Sequence, residues 1–217
     1  MMHKVGMAIV CIWMALPAQA EPVTVAALGD SLTQGYGLPA EDGFVPQLQN
    51  WLDQNGADVT VINAGVSGDT TAGGLARVAW TMTPEVDGMI VTLGGNDLLR
   101  GIDPAVSRAN LDGIMKAAQD AEVEVLLVGM TAPGNFGPDY KTAFDSIYPD
   151  LAAQYDASLM GSFFDGLSDN GETPDLAQAR GFFQADGVHP NAQGVTRIVD
   201  ALGPKVLTLI DQINENE

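Results

Sequence analysis

The sequence predicts an α/β fold: three layers, α/β/α, on a five-stranded parallel sheet in the flavodoxin-like order 2-1-3-4-5. Three observations lead there. Five short runs rich in Val, Ile and Leu recur along the chain, as strands buried on both faces do. Amphipathic helical patterns separate those runs. No repeat, linker or low-complexity segment interrupts the alternation, so residues 21–217 read as one domain.

The predicted strands are 23–28, 58–62, 86–93, 123–130 and 158–163. After the first, Phe44, Leu48, Trp51 and Leu52 share a helix face, and Asn55-Gly56 ends that helix. Leu75 to Met82 forms a short second helix. Asp103 as N-cap and Pro104 at N1 open a third, with Leu111, Ile114, Met115 and Ala118 as its buried stripe. Tyr140, Phe144, Ile147, Leu151 and Tyr155 outline a fourth, which Pro149 should kink or interrupt. The last carries Val195, Ile198, Val199, Leu202, Leu209 and Ile213, and Gly203-Pro204 should break its line. Trp51 and Trp80 read as core. Residues 164–186 are the longest irregular stretch, a length that is often functional in compact domains. Asp165, Asp169, Asn170 and Asp175 within it fit no calcium-loop spacing and read as a solvated acidic loop.

Residues 1–20 stand apart. His3 and Lys4 precede an apolar stretch too short to span a bilayer, and Ala18-Gln19-Ala20 supplies a small-x-small cleavage pattern. This reads as a secretory signal peptide cleaved after Ala20, leaving a periplasmic or secreted protein. Cys11 and His3 leave with it. The remaining chain has no cysteine, which excludes disulfides and thiolate catalysis, and one histidine, His189, which excludes multi-His metal sites. With Lys4 gone, 8 cationic residues face 28 carboxylates, a formal charge of −20. That charge opposes nucleic acid and anionic lipid and favours solubility. No metal, cofactor or stable membrane anchor is expected, and a monomer is the default assembly.

The chemistry gathers after strands. Ser31 follows the first, on a Gly-flanked turn where an open α/β sheet binds its ligands. Taken alone, Gly29-Asp30-Ser31 suits a turn-capping serine equally well. Three more segments fall on the same edge: 63–70, 94–97 and 186–190. Acyl transfer needs a base for the serine, and His189 is the available imidazole. It needs a carboxylate to orient that imidazole, and Asp186 lies three residues upstream. It needs oxyanion donors, and the Ser31 amide, the Gly68 amide and the Asn96 side chain offer three.

These stretches resemble the SGNH hydrolases, also called GDSL esterases. GDSLTQGYG (29–37), NAGVSGDTTAGGLAR (63–77), LGGNDLLRG (93–101) and ADGVHPN (185–191) follow the family's four blocks in order. The resemblance covers essentially all of 21–217, and is to the bacterial secreted group of thioesterase/lysophospholipase and arylesterase enzymes. It implies the SGNH hydrolase fold. It also implies Ser31 as nucleophile, His189 as base, Asp186 as its partner, and Ser31, Gly68 and Asn96 as the oxyanion hole. Asp30, Asp69 and Asp97 are expected to stiffen their loops by bonding nearby backbone.

The substrate is expected to be a small ester or lipid-like molecule. Relatives hydrolyse aryl esters, short- to medium-chain acyl esters, acyl thioesters and lysophospholipids; export favours oxygen esters. Leu98-Leu99 stands where the thioesterase group often has Gly-Leu, and Ala132-Pro133 where it often has Leu-Pro. These four residues are read as part of the substrate groove, more restricted and less apolar there, which favours short acyl or aryl esters. Deacetylation of a polysaccharide and a non-catalytic binding module are the alternatives.

Overall fold

A computed structural model describes residues 22–168 and 179–216. Residues 1–20 and the positions 169, 170 and 175 lie outside them. The chain runs β1 (Val23–Gly29), α1 (Ser31–Gln34), α2 (Phe44–Gln54), β2 (Val59–Gly65), α3 (Thr71–Thr81), β3 (Gly88–Thr92), α4 (Gly95–Arg100), α5 (Pro104–Asp120), β4 (Glu124–Val128), α6 (Pro138–Asp145), α7 (Ile147–Tyr155), β5 (Ser158–Met160) and α8 (Ala192–Asn216). The sheet is all-parallel, in the order β2-β1-β3-β4-β5. Helices α2 and α8 pack together on one face, and α3, α5 and α7 cover the other.

This order positions the site. From β1 the chain crosses one way to β2, then back past β1 to β3, so a crevice opens at the carboxyl ends of β1 and β3. Gly29 pairs level with Gly65 on one side and Thr92 on the other. The loops following three strands therefore leave the sheet at one rim. Beneath it the central strands are fully buried: Ala26, Leu28, Ile90, Val91, Leu126 and Leu127 have essentially no exposure. Burying each of these valine, leucine or isoleucine side chains stabilises by about 1.5–3 kcal/mol.

Four expectations need correction. β2 is not buried on both faces. It is an edge strand, and Ile62 projects outward. Gln49 of α2 caps part of that edge, donating from Nε2 to Val59 O (2.9 Å) and accepting from Val61 N–H (2.8 Å) at Oε1. Such capping keeps edge groups from templating another strand. Trp80 is 85% exposed, not core, and sits near the far end of α3 from the rim. Strand β5 stops at Met160 and is shorter than expected.

Gly203-Pro204 does not break α8, which runs on to Asn216. An interior proline costs ~3 kcal/mol. Against this, Ile198, Leu202, Val206, Leu209 and Ile213 are all buried along one stripe. Pro204 and Asp200, whose carbonyl loses its donor, lie on the solvent side, where water replaces the bond. Gly203 is a packing notch; any Cβ there would run into the Trp51 ring. Pro149 behaves as expected. It sits in the first turn of α7, and the helix line is interrupted at Ser146.

Candidate active site

Ser31 opens α1 directly beyond β1. Asp30 is the N-cap, its Oδ1 accepting the Leu32 N–H at 3.0 Å. Gly35 ends the helix after one turn. Arg77, reaching back from α3, holds the strand ends together. It donates to Gly29 O and Ala64 O, each at 2.7 Å, and pairs with Asp69 at 2.6 Å. Asp69 therefore bonds a side chain rather than nearby backbone, contrary to expectation. Asp97 also reaches further than expected. It is fully buried and accepts from Thr71 N–H, Thr71 Oγ1 and Ser107 Oγ, tying α4 to α3 and α5. Asp30 meets the expectation and adds an accepted bond from Asn96 Nδ2 at 3.0 Å.

His189 rides on a tight turn just before α8. Phe183 and Pro190 form an antiparallel bridge, and the chain reverses between them. Gly187 supplies the positive φ (67°) that this reversal needs. Asp186 Oδ1 accepts the N–H groups of Val188 (2.9 Å) and His189 (3.1 Å). Its Oδ2 lies 2.7 Å from His189 Nδ1, and His189 Nε2 lies 2.9 Å from Ser31 Oγ. The bond to the imidazole and the two backbone N–H groups hold the Asp186 carboxyl down at about 2. It is therefore ionised throughout the neutral range. The Tyr36 ring packs on the imidazole with centroids 4.6 Å apart.

Gly68 has φ 85°, a conformation that L side chains rarely adopt. Among the described residues, no protein acceptor takes the N–H of Gly68 or of Ser31. Arg100, at the end of α4, donates to Gly68 O at 2.8 Å. The helix that carries Asn96 thus also tethers the Gly68 loop. Asn96 Nδ2 donates one hydrogen to Asp30, and among the described residues no protein acceptor takes the other.

Asp30 is only 2% exposed, and burial pushes its carboxyl up from 3.8 to about 6 despite the Leu32 and Asn96 bonds. A carboxyl raised on folding contributes stability that is complete below the unfolded value and is lost as pH rises through the folded one. Asp30 should therefore weaken the fold between pH 4 and 6, by up to ~3 kcal/mol. Asp30→Asn cannot titrate. In urea unfolding, the stability difference between wild type and variant should shift toward the variant as pH rises from 4 to 7. A difference that stays constant with pH would refute this.

The rim encloses a cleft of about 760 Å³ that reaches Ser31, Asn96 and His189. Leu98, Leu99, Met130, Phe136, Phe164 and Phe183 contribute to its walls. The groove residues are not equivalent. Leu99 is exposed, whereas Leu98 is buried. Ala132 and Pro133 also line the cleft, but Ala132 is buried. Its N–H donates to Asp145 and its C=O accepts from Lys141. Among the described residues no three His, Cys, Asp or Glu side chains gather as a metal-binding group.

The structure thus brings together Ser31, Asp186, His189, Gly68 and Asn96. Sequence reasoning overlooked Arg77, Arg100 and Tyr36, although all three lie within the quoted blocks. It also overlooked Gln184, which lies one residue before the last block.

Known proteins resemble the chain over most of its length. A family model described as GDSL-like lipase/acylhydrolase matches residues 27–197. The chain is 37% identical over 196 residues to the esterase TesA of Pseudomonas aeruginosa, covering 90% of this chain and 93% of that protein. It is 34% identical over 189 residues to thioesterase 1/protease 1/lysophospholipase L1 of Escherichia coli, covering 87% of this chain and 85% of that one. The solved structure of AlinE4, described as an SGNH-hydrolase family esterase, matches with a TM-score of 0.69 at 42% identity, over 88% of this chain and 98% of that one. The chain belongs to the GDSL-like lipase/acylhydrolase family, and it is an SGNH esterase.

Proposed function

We propose that the protein hydrolyses short-chain acyl and aryl esters through an acyl-Ser31 intermediate. One observation carries the mechanism: the unbroken line from Ser31 Oγ to His189 Nε2 (2.9 Å) and from His189 Nδ1 to Asp186 Oδ2 (2.7 Å). Oγ attacks the acyl carbon while its proton passes to Nε2. The Ser31 and Gly68 amides and the Asn96 side chain stabilise the tetrahedral oxyanion. Losing one such donor costs ~10²–10³ in turnover. Collapse breaks the bond to the leaving oxygen, which takes the proton from Nε2. Water then gives a proton to Nε2 and attacks the acyl-serine. The second collapse releases the acid and returns the proton to Oγ. Asp186 holds the imidazole tautomer and stabilises the imidazolium.

The substrate reading rests on the cleft walls. Tyr36, Phe136, Phe164 and Phe183 offer aromatic faces suited to flat acyl or leaving groups. The buried Ala132 offers a long chain little apolar surface. So apolar a wall has few partners for sugar hydroxyls, which disfavours polysaccharide deacetylation. A groove that seated an acyl chain would add ~0.8 kcal/mol, roughly fourfold, per methylene. The expected kcat/KM for p-nitrophenyl esters from C2 to C16 is highest at the short end and falls along the series. Values still rising at C12 or beyond would overturn this preference.

Export belongs to the same proposal and rests on the signal-like pattern of residues 1–20. It requires the exported protein to begin at Glu21, which N-terminal sequencing reads directly. Among the described residues no helix is long and apolar enough to cross a membrane.

A further inference from the structure

We propose that Gln184 is a positioning residue. Its carboxamide ties the Tyr36 loop to the His189 turn and so fixes the imidazole against Ser31. This rests on reading Ser31 and His189 as nucleophile and base.

Serine and imidazole lie on different elements, 158 positions apart. The bonds from Asp186 to Val188 and His189 fix the ring relative to its own turn. They do nothing to fix that turn relative to Ser31. The turn packs at its base, where Pro190 is buried and Phe182 and Phe183 lie against the core, but its tip is exposed at Asp186, Gly187 and Val188.

Gln184 supplies the missing link. Its Nε2 donates to Tyr36 O at 2.8 Å and to Pro190 O at 3.0 Å, using both amide hydrogens. Its backbone N–H donates to His189 O at 2.8 Å, and its C=O accepts from Gly187 N–H at 3.0 Å. Tyr36 N–H in turn donates to Ser31 O at 3.1 Å. A continuous chain therefore runs from the backbone of Ser31, through Tyr36 and Gln184, to the residue that follows His189. Among the described residues, the Gln184–Tyr36 bond is the one hydrogen bond, besides the Nε2–Oγ bond itself, that joins 182–191 to 30–38.

The chemistry of the position is specific. Two backbone carbonyls must be met by two donors from one side-chain atom, which a carboxamide provides. A carboxylate of the same shape has no donor and faces both carbonyls with like charge. Gly37, next to Tyr36, leaves the carboxamide its space; a Cβ there would run into Gln184 Oε1. The clamp also holds the Tyr36 ring on the imidazole.

Gln184→Ala and Gln184→Glu test the proposal, with p-nitrophenyl acetate as substrate and Ser31→Ala as reference. A misplacement of about 1 Å can cost ~10² in rate, so kcat should fall ~10–100-fold in both variants while KM changes less than about threefold. In NMR spectra, the carbon-bound ring protons of His189 should shift as the Tyr36 ring moves off the imidazole. The Nδ1–H signal should persist, because the Asp186 turn is self-contained. If Gln184→Ala does not fold, Gln184→Glu decides, since it keeps the side-chain shape. Wild-type kcat in the folded variants, or a rise in KM with kcat unchanged, would overturn the clamp. Substantial turnover in Ser31→Ala would instead overturn the reading beneath it.

Discussion

Ser31→Ala should lower kcat for ester hydrolysis by ~10⁴–10⁶-fold, leaving the fold intact. The hydroxyl has one hydrogen-bond partner among the described residues, His189 Nε2. The cap of α1 is supplied by Asp30, not Ser31, so removing one oxygen leaves the turn its support. The backbone N–H stays in place for the oxyanion, and Gly68 and Asn96 are untouched. What disappears is the atom that bonds to the acyl carbon. Thermal unfolding should stay within a few degrees of wild type, because losing one partly exposed hydrogen bond changes stability by about 1 kcal/mol. A folded Ser31→Ala protein turning over at the wild-type rate would remove Ser31 from the mechanism.

His189→Ala should cost nearly as much, ~10⁴-fold or more in kcat. A serine hydroxyl is a weak nucleophile until a base takes its proton. His189 is the one histidine among the described residues, so no second imidazole stands in. The Asp186 carboxylate, on the far side of the ring, bonds Nδ1 and has no contact with Oγ. Because serine and imidazole act as one unit, the two losses should not add. The double variant should be no slower than Ser31→Ala alone within error. Activity within tenfold of wild type in His189→Ala would mean that another group activates the nucleophile.

Much of this site was legible in the sequence for a chemical reason. With no cysteine and one histidine after residue 20, few mechanisms were left, and the glycine-rich segments marked where strands end. The parallel sheet followed from the alternation, because parallel neighbours need crossovers and crossovers have one hand; the order 2-1-3-4-5 did not, since other doubly wound orders satisfy the same alternation. The supporting layer was not legible. Arg77 donates to carbonyls of two strands, and a carbonyl acceptor leaves no mark in the side-chain sequence. Gln184 acts the same way, through Tyr36 O and Pro190 O. Trp80 reads as core because an aromatic in a short helix suggests burial, yet it is exposed, since local pattern does not say which helix face meets the sheet. Pro204 reads locally as a helix breaker because propensity is local, whereas the buried stripe that keeps α8 helical through it is tertiary.

Reaction with a fluorophosphonate puts the central claim to trial in a single step, since only a serine already activated by its neighbours attacks phosphorus quickly. Mass analysis of the intact protein, followed by peptide mapping, should find one adduct per chain, on Ser31. The adduct should be absent in Ser31→Ala and form far more slowly in His189→Ala. Modification at another residue, or full esterase activity in protein whose Ser31 is blocked, would contradict it.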